Sequence, residues 1–514
     1  VSVEAQVSPA TAERTPPPIG WPTKALYGAG AVAFGVKDNG FSYFLLFFYS
    51  QVVGLPAAWV SAALMFALVL DAIFDLTIGQ ISDNWRSRLG RRHPFMYASV
   101  VPVSLAYMLL WNPPAGSNVA LLVYLTSLTV IVRIFLGAYE IPSSALVAEL
   151  TSNYTERTSF FSYRFFFMWW GGLGITLIAL RFVLRPDKLH AVGQLNPAGY
   201  AHYGVIAALI MAASILTATI GTHGRIPYLK APPPRRPFRL KAVIGEMFGT
   251  LSNPSFVALL MAAVSSNIAI GLGAGLGLYI NTYFWELSAG QLSVLLPAAF
   301  IGSAFGVLIA PAMSNRFGKR ETSVMLAVIS VIVSLAPIGL RLVGWFPANG
   351  SPLLLPSLFA SQMLAVLLGV CANVLISAML TDVVEESELK TGRRSEGLVL
   401  AANTFVAKCV TGVGIFAAGL IVAGVHFPQH AVPGHVAPAV LHNLALLYMP
   451  AQGVLYMVAI GFLSRYRITK GGHEANLKLL AERAGAEPYA PIEPLAAPDE
   501  GRSEPRAAPI QSPI

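Results

Sequence analysis

The chain has 514 residues, 55% of them hydrophobic and 11% charged, with a net charge of +9 and a mean hydropathy of +0.63. A soluble domain carries about 25% charged residues, and here the apolar excess comes in blocks of about 20 residues or more, long enough to span a bilayer; a water-soluble enzyme is excluded. Lys and Arg fall mainly in the short loops between blocks, as membrane topology demands, so the basic balance does not point to nucleic acid.

Residues 1-22, with Thr15-Pro16-Pro17-Pro18, read as a disordered cytoplasmic tail. Apolar spans follow at 23-53, 56-83, 94-112, 118-148, 158-184 and 202-222, a first half over 23-222. A linker over 223-253 contains Pro232-Pro233-Pro234-Arg235-Arg236, with a short interfacial helix expected near Leu240 to Phe248. Six more spans lie at 254-284, 289-313, 322-345, 353-384, 396-424 and 443-465, a second half over 254-466. Residues 467-514, rich in Ala, Pro and Glu, read as a cytoplasmic tail. Cys371 and Cys409 both sit inside apolar runs, which excludes a disulfide framework. The reading is an all-α integral membrane protein of twelve transmembrane helices in two six-helix halves.

Loop charge sets the orientation. Arg86, Arg88, Arg91 and Arg92 follow the second span, and Arg225, Lys230, Arg235 and Arg236 the sixth. Arg316, Lys319 and Arg320 follow the eighth, and Lys390, Arg393 and Arg394 the tenth, whereas the loops after the first, third and eleventh spans carry no Lys or Arg. Both termini are therefore expected in the cytoplasm, in the cell (inner) membrane. One internal repeat is legible. Ser82-Asp83 runs on to Gly90-Arg91-Arg92 after the second span, and Ser314-Asn315 to Gly318-Lys319-Arg320 after the eighth. Parallel six-helix repeats mark the major facilitator fold.

A charge at the bilayer centre costs at least about 2.5 to 3.5 kcal/mol, so intramembrane charges point to function. The spans contain Lys37, Asp38, Asp71, Asp75, Arg133, Glu140, Arg164 and Lys408. Asp71 and Asp75, four apart, share a helix face and repel each other unless a cation or proton lies between them. A coupling-cation site is the favoured reading and a salt bridge to a neighbouring helix the alternative. Arg133 and Glu140, two turns apart, also share a face, so Arg133 either compensates Glu140 or lines a cavity. Lys408 either compensates charge or takes part in coupling. Pro142 beside Glu140 is expected either to break the helix next to a buried carboxylate, exposing backbone groups to a cavity, or simply to kink it. Most of the aromatic run 165-170 is expected to face lipid or neighbouring helices, and Tyr279, Tyr283 and Trp285 are expected in an interfacial belt.

These residues carry a resemblance. Lys37-Asp38, the run Asp71 to Asp75, Arg88-Leu89-Gly90-Arg91-Arg92, Glu140-Ile141-Pro142, Tyr163-Arg164, the run Thr381 to Glu385, the run Lys390 to Gly397, and Lys408 occur in one ordered series. The chain resembles the glycoside-pentoside-hexuronide:cation symporters, the melibiose-permease-like branch of the major facilitator superfamily. The resemblance implies coupling-cation carboxylates at Asp71 and Asp75, with Lys408 close to them. It implies sugar-binding positions at Asp38, Glu140 and Arg164 with Lys37 beside them, and an inner gate of Arg157, Asp382, Glu385 and Arg394. Four departures stand out. Glu140 replaces an Asp, Ser144 and Asn373 stand where that branch carries Trp, and Gly137 replaces a Thr hydroxyl that helps hold sodium. The first three argue against a galactoside preference, and the last favours protons over sodium.

The expected function is secondary transport of a glycoside or oligosaccharide with a cation, by alternating access, with Arg164 able to make a bidentate sugar contact. Sodium coupling at Asp71 and Asp75, or uncoupled facilitation, is the alternative. The expected partners are the sugar, the cation and the bilayer. No cofactor is expected. An intramembrane Asp-motif enzyme is a remote reading, because such enzymes need a second Asp-rich motif and the chain has none.

Overall fold

The computed structural model describes residues 19-151, 153-229, 254-391 and 396-466, with the backbone alone at 154-155, 314-315, 317 and 381-405. The tails and the expected interfacial helix near Leu240 to Phe248 lie outside the described residues.

In hydrocarbon a segment must satisfy its backbone groups internally, so apolar runs become helices. The first run does so unevenly. It forms α1 (Trp21–Ala29) and α2 (Val32–Asn39), then two π-helical turns, Gly40–Leu45 and Phe48–Val52. Gly35 is required by close approach, since a Cβ there would lie 2.0 Å from the carbonyl oxygen of Met168. The wide turns, a local adjustment frequent at functional sites, begin just after Lys37 and Asp38.

The rest of the first half comprises α3 (Ala57–Asn84), α4 (His93–Leu110), α5 (Asn118–Leu150), α6 (Tyr154–Ile178) and α7 (Pro197–His223). The second half comprises α8 (Pro254–Tyr279), α9 (Ala289–Phe317), α10 (Lys319–Leu342), α11 (Leu354–Thr391), α12 (Glu396–Gly424) and α13 (Pro438–Leu463). Eleven helices among the described residues are long and apolar enough to cross a membrane. The broken rod of α1 and α2 with its π-helical turns, over residues 21-52, is consistent with a twelfth span.

Small residues set the packing between the halves. On α12, Gly412 lies against Met65 and Leu68, and Gly419 against Ser61, so α12 runs closely along α3. At the end of the molecule away from the Arg-rich loops the halves are sealed. Gln51 Oε1 accepts from Tyr283 Oη at 3.0 Å and from the Ala431 amide at 3.2 Å, and Gln51 Nε2 donates to the Pro428 carbonyl at 3.3 Å. Ser50 and Tyr279 share a short hydrogen bond. Phe47 and Phe427 pack on both tyrosines. Tyr279, Tyr283 and Trp285 are therefore buried. The expected interfacial belt is corrected: these rings close a joint between halves rather than meeting lipid headgroups. Of the aromatic run, Phe165, Phe166, Trp169 and Trp170 are exposed, and the two tryptophans also pack on Phe300 of α9.

At the opposite, basic end, Arg91 Nε and Arg92 Nε both donate to Glu149 Oε1, at 2.8 and 2.9 Å. Arg92 also reaches Ser82 Oγ at 2.8 Å and Asp83 at 2.5 Å. The arginines read from the sequence as topology signals thus also clamp the ends of α3, α4 and α5 together.

Candidate functional site: an intramembrane charge cluster between the halves

Two charge clusters lie within the helices. The first joins α3, α5 and α12. Lys408 Nζ donates to Asp71 Oδ2 at 3.1 Å and to Asp75 Oδ2 over a shorter contact. Arg133 Nη1 meets Asp71 Oδ2 at 3.3 Å. Asp71 is thus shared by two cations, and Asp75 is held by Lys408 among the described residues. Side-chain exposure follows the same division, 7% for Asp71 against 25% for Asp75. Gly137 on α5 makes this possible, because a Cβ there would lie 2.8 Å from Asp75 Oδ1.

The second cluster joins the first rod, α5 and α6. Arg164 pairs with Glu140 Oε1 through Nη2. It also donates to Tyr27 Oη at 3.0 Å, to Ser143 Oγ at 3.5 Å and to the Glu140 carbonyl at 3.4 Å. Tyr27 Oη in turn donates to the Ser143 carbonyl at 3.0 Å. The guanidinium fork, expected to clasp a sugar, is taken up by protein acceptors and holds Glu140 in place. Glu140 Oε2, buried, has no partner among the described residues. Such an acceptor is costly unless a ligand donates to it.

Lys37 and Asp38 stand beside the first cluster. The Lys37 ammonium is buried, 3.6 Å from Asp38 and 4.3 Å from the centre of the Phe34 ring. The Asp38 side chain is 60% exposed. A carboxylate so exposed at membrane depth must face water, hence a cavity between the halves.

Several sequence expectations change here. Arg133 serves Asp71 and not Glu140, because α3 and not the same face of α5 supplies the nearer carboxylate. Tyr27 and Ser143 were missed; a tyrosine in an apolar run carries no signal until its hydroxyl is given a partner. Ser144 donates to its own helix at Ile141 O, 2.9 Å, and Asn373 is exposed and donates to Gly369 O, 3.1 Å. Of the expected inner gate, Arg157 donates to the Thr151 and Ala148 carbonyls at the end of α5, at 2.9 and 3.5 Å. The side chains of Asp382 and Glu385, and Arg394 as a whole, lie outside the described residues.

The family model for MFS/sugar transport proteins matches residues 26–470. The chain belongs to that family. It is a multi-pass membrane transporter of the major facilitator superfamily, of the symporter-like branch that the motifs indicated, and not an enzyme. Among curated relatives it is 26% identical to the putative glycoside/cation symporter YagG of Escherichia coli (strain K12), covering 90% of this chain and 95% of that one. It is 24% identical to the isoprimeverose transporter of Lactiplantibacillus pentosus, covering 88% of this chain and 89% of that one. Among solved structures it is similar in fold to a D-xylose-proton symporter, with a TM-score of 0.59 at 15% identity, over 88% of this chain and 99% of that one.

Proposed function

We propose that the protein is a glycoside:proton symporter working by alternating access, with its termini and its basic end in the cytoplasm of a cell whose inner membrane it spans. The observation that carries this is the bridge from Lys408 of the second half to Asp71 and Asp75 of the first. Such a bridge ties the state of a carboxylate pair to the relative position of the halves. Similarity to a putative glycoside/cation symporter and an isoprimeverose transporter supports the sugar class. Loop charge supports the orientation.

In this reading a proton acts at Asp75, the more exposed carboxylate and the one without Arg133. Protonation removes one of the two anions holding Lys408, while Asp71 keeps its pair with Arg133. The joint between halves is thereby weakened without leaving a buried charge unpaired, an outcome that breaking the Asp71 pair would not allow. Sodium fits less well. Lys408 already occupies the space between the carboxylates, and Gly137 supplies no side-chain oxygen beside Asp75.

Sugar hydroxyls donate to Asp38 and to the free Glu140 Oε2, and Arg164 positions Glu140. With the end at Gln51 sealed, the described arrangement is in this reading closed toward the outside. Each ligand favours the other if both prefer the same arrangement of halves, and that coupling is reciprocal.

The test is transport into proteoliposomes under separately imposed gradients, screened over glycosides. Uptake driven by an inward proton gradient and indifferent to a sodium gradient is expected. Uptake driven by sodium alone overturns proton coupling, and exchange that neither gradient drives leaves an uncoupled facilitator.

A further inference from the structure

We infer that the second half contains an uncharged subsite for the aglycone of the substrate, separate from the charged residues that hold the sugar; this rests on the glycoside reading above. A cavity of about 530 Å³ lies among α8, α10, α11 and α13, within the range of pockets that enclose a small organic molecule. Among the described residues that line it, none is Asp, Glu, Lys or Arg. Its walls are aliphatic with a scatter of neutral polar groups: Ser266 and Asn267 from α8, Ser330 and Ser334 from α10, Asn373 from α11 and Tyr456 from α13. A charged ligand would find no counter-charge there. A flat, neutral group finds apolar surface for its faces and hydroxyl or amide partners for its edges.

The cavity is not a by-product of the fold. The repeat pairs these four helices with the first rod, α4, α5 and α7 of the other half. There Met96, Tyr139, Met211 and Ile215 pack in one hydrophobic cluster, each 0 or 1% exposed. In the second half Gly369, Asn373 and Ser377 stand four apart on α11, one face of small side chains where the first half has bulk. Nearby, one turn from Tyr456 on α13, Gln452 is 7% exposed and its Oε1 has no partner among the described residues.

The cavity also borders the ion-pair site. Asn267 on its wall lies with Oδ1 3.4 Å from Thr411 Oγ1, and Thr411 donates to Ala407 O at 2.7 Å, in the turn of α12 that carries Lys408. A group filling the cavity therefore presses on the turn that bridges the halves. An aglycone would then affect transport as well as affinity.

The experiment measures binding of matched methyl and 4-nitrophenyl glycosides of glucose, galactose and xylose to purified protein in nanodiscs, by equilibrium dialysis. For a sugar that binds, the nitrophenyl glycoside is expected at least tenfold tighter than its methyl partner. Ser334→Leu and Ala263→Leu, which fill the cavity from two different helices, should bring the nitrophenyl glycoside to the methyl level and leave the methyl glycoside unchanged. Equal affinities within each pair in the parent protein overturn the inference, as does an equal loss for both partners in both variants. Failure of all six glycosides to bind overturns the glycoside reading itself, and this inference with it.

Discussion

Replacing Gln51 by Leu should unlock the sealed end of the protein. Gln51 is 2% exposed and ties the first rod to the segment at 428-431 with two hydrogen bonds and to Tyr283 with a third. Leucine keeps most of the volume and removes both polar atoms. Tyr283 Oη retains the Ala431 carbonyl at 3.1 Å, so the groups left unpaired are the Ala431 amide and the Pro428 carbonyl. Each buried orphan costs about 1 to 3 kcal/mol. The cost arises only in the sealed arrangement, because water reaches both groups once the halves part. Allowing for partial hydration at the rim, the sealed state loses about 2 to 4 kcal/mol, and each 1.4 kcal/mol is about a factor of ten. The population open at this end should therefore rise about 30-fold or more. Leu46 reports it: its side chain is buried against Gly275 of the other half. With Cys371 and Cys409 replaced by Ser, Leu46→Cys should react with an impermeant maleimide at least tenfold faster when Gln51→Leu is added. An unchanged rate would refute the argument that these bonds hold the end shut.

Asp75→Asn should abolish proton-driven accumulation while equilibrium exchange of sugar persists; a mutant that still concentrates sugar removes Asp75 from coupling. Arg164→Lys keeps the charge but loses the fork that holds Glu140 and Tyr27 together, so sugar affinity should fall at least tenfold, and Tyr27→Phe, which deletes the bond from Arg164 and the bond to the Ser143 carbonyl, by about fivefold. Unchanged binding in Arg164→Lys would leave that residue with a packing role alone. Gly137→Val puts a branched side chain against Asp75 Oδ1, where even a Cβ is too close. Coupling should fail while the protein remains monodisperse on gel filtration, whereas full coupling would mean that the Asp75 contact with Lys408 is dispensable.

The sequence by itself determined what the bilayer enforces residue by residue. Length and hydropathy are local quantities, so the spans were legible to within about five residues, as at 396-424 against Glu396–Gly424, except that α11 runs past the expected 384 to Thr391. The cost of an intramembrane charge is local too. Every charged residue of both clusters, from Lys37 to Lys408, was therefore visible as a candidate before any contact was known. Partnership is not local. Arg133 and Glu140 share a helix face, yet each found a nearer opposite charge on another helix, and the packing of α3, α5 and α6 alone decides which. Tyr279 and Tyr283 illustrate the same limit. An aromatic residue near a span end reads as a headgroup anchor, and only the approach of the first rod and Phe427 turns it into a seal. Voids are the least legible of all. The small residues of α11 could have brought two helices together or held a cavity open, and that depends on how far apart the surrounding helices stand.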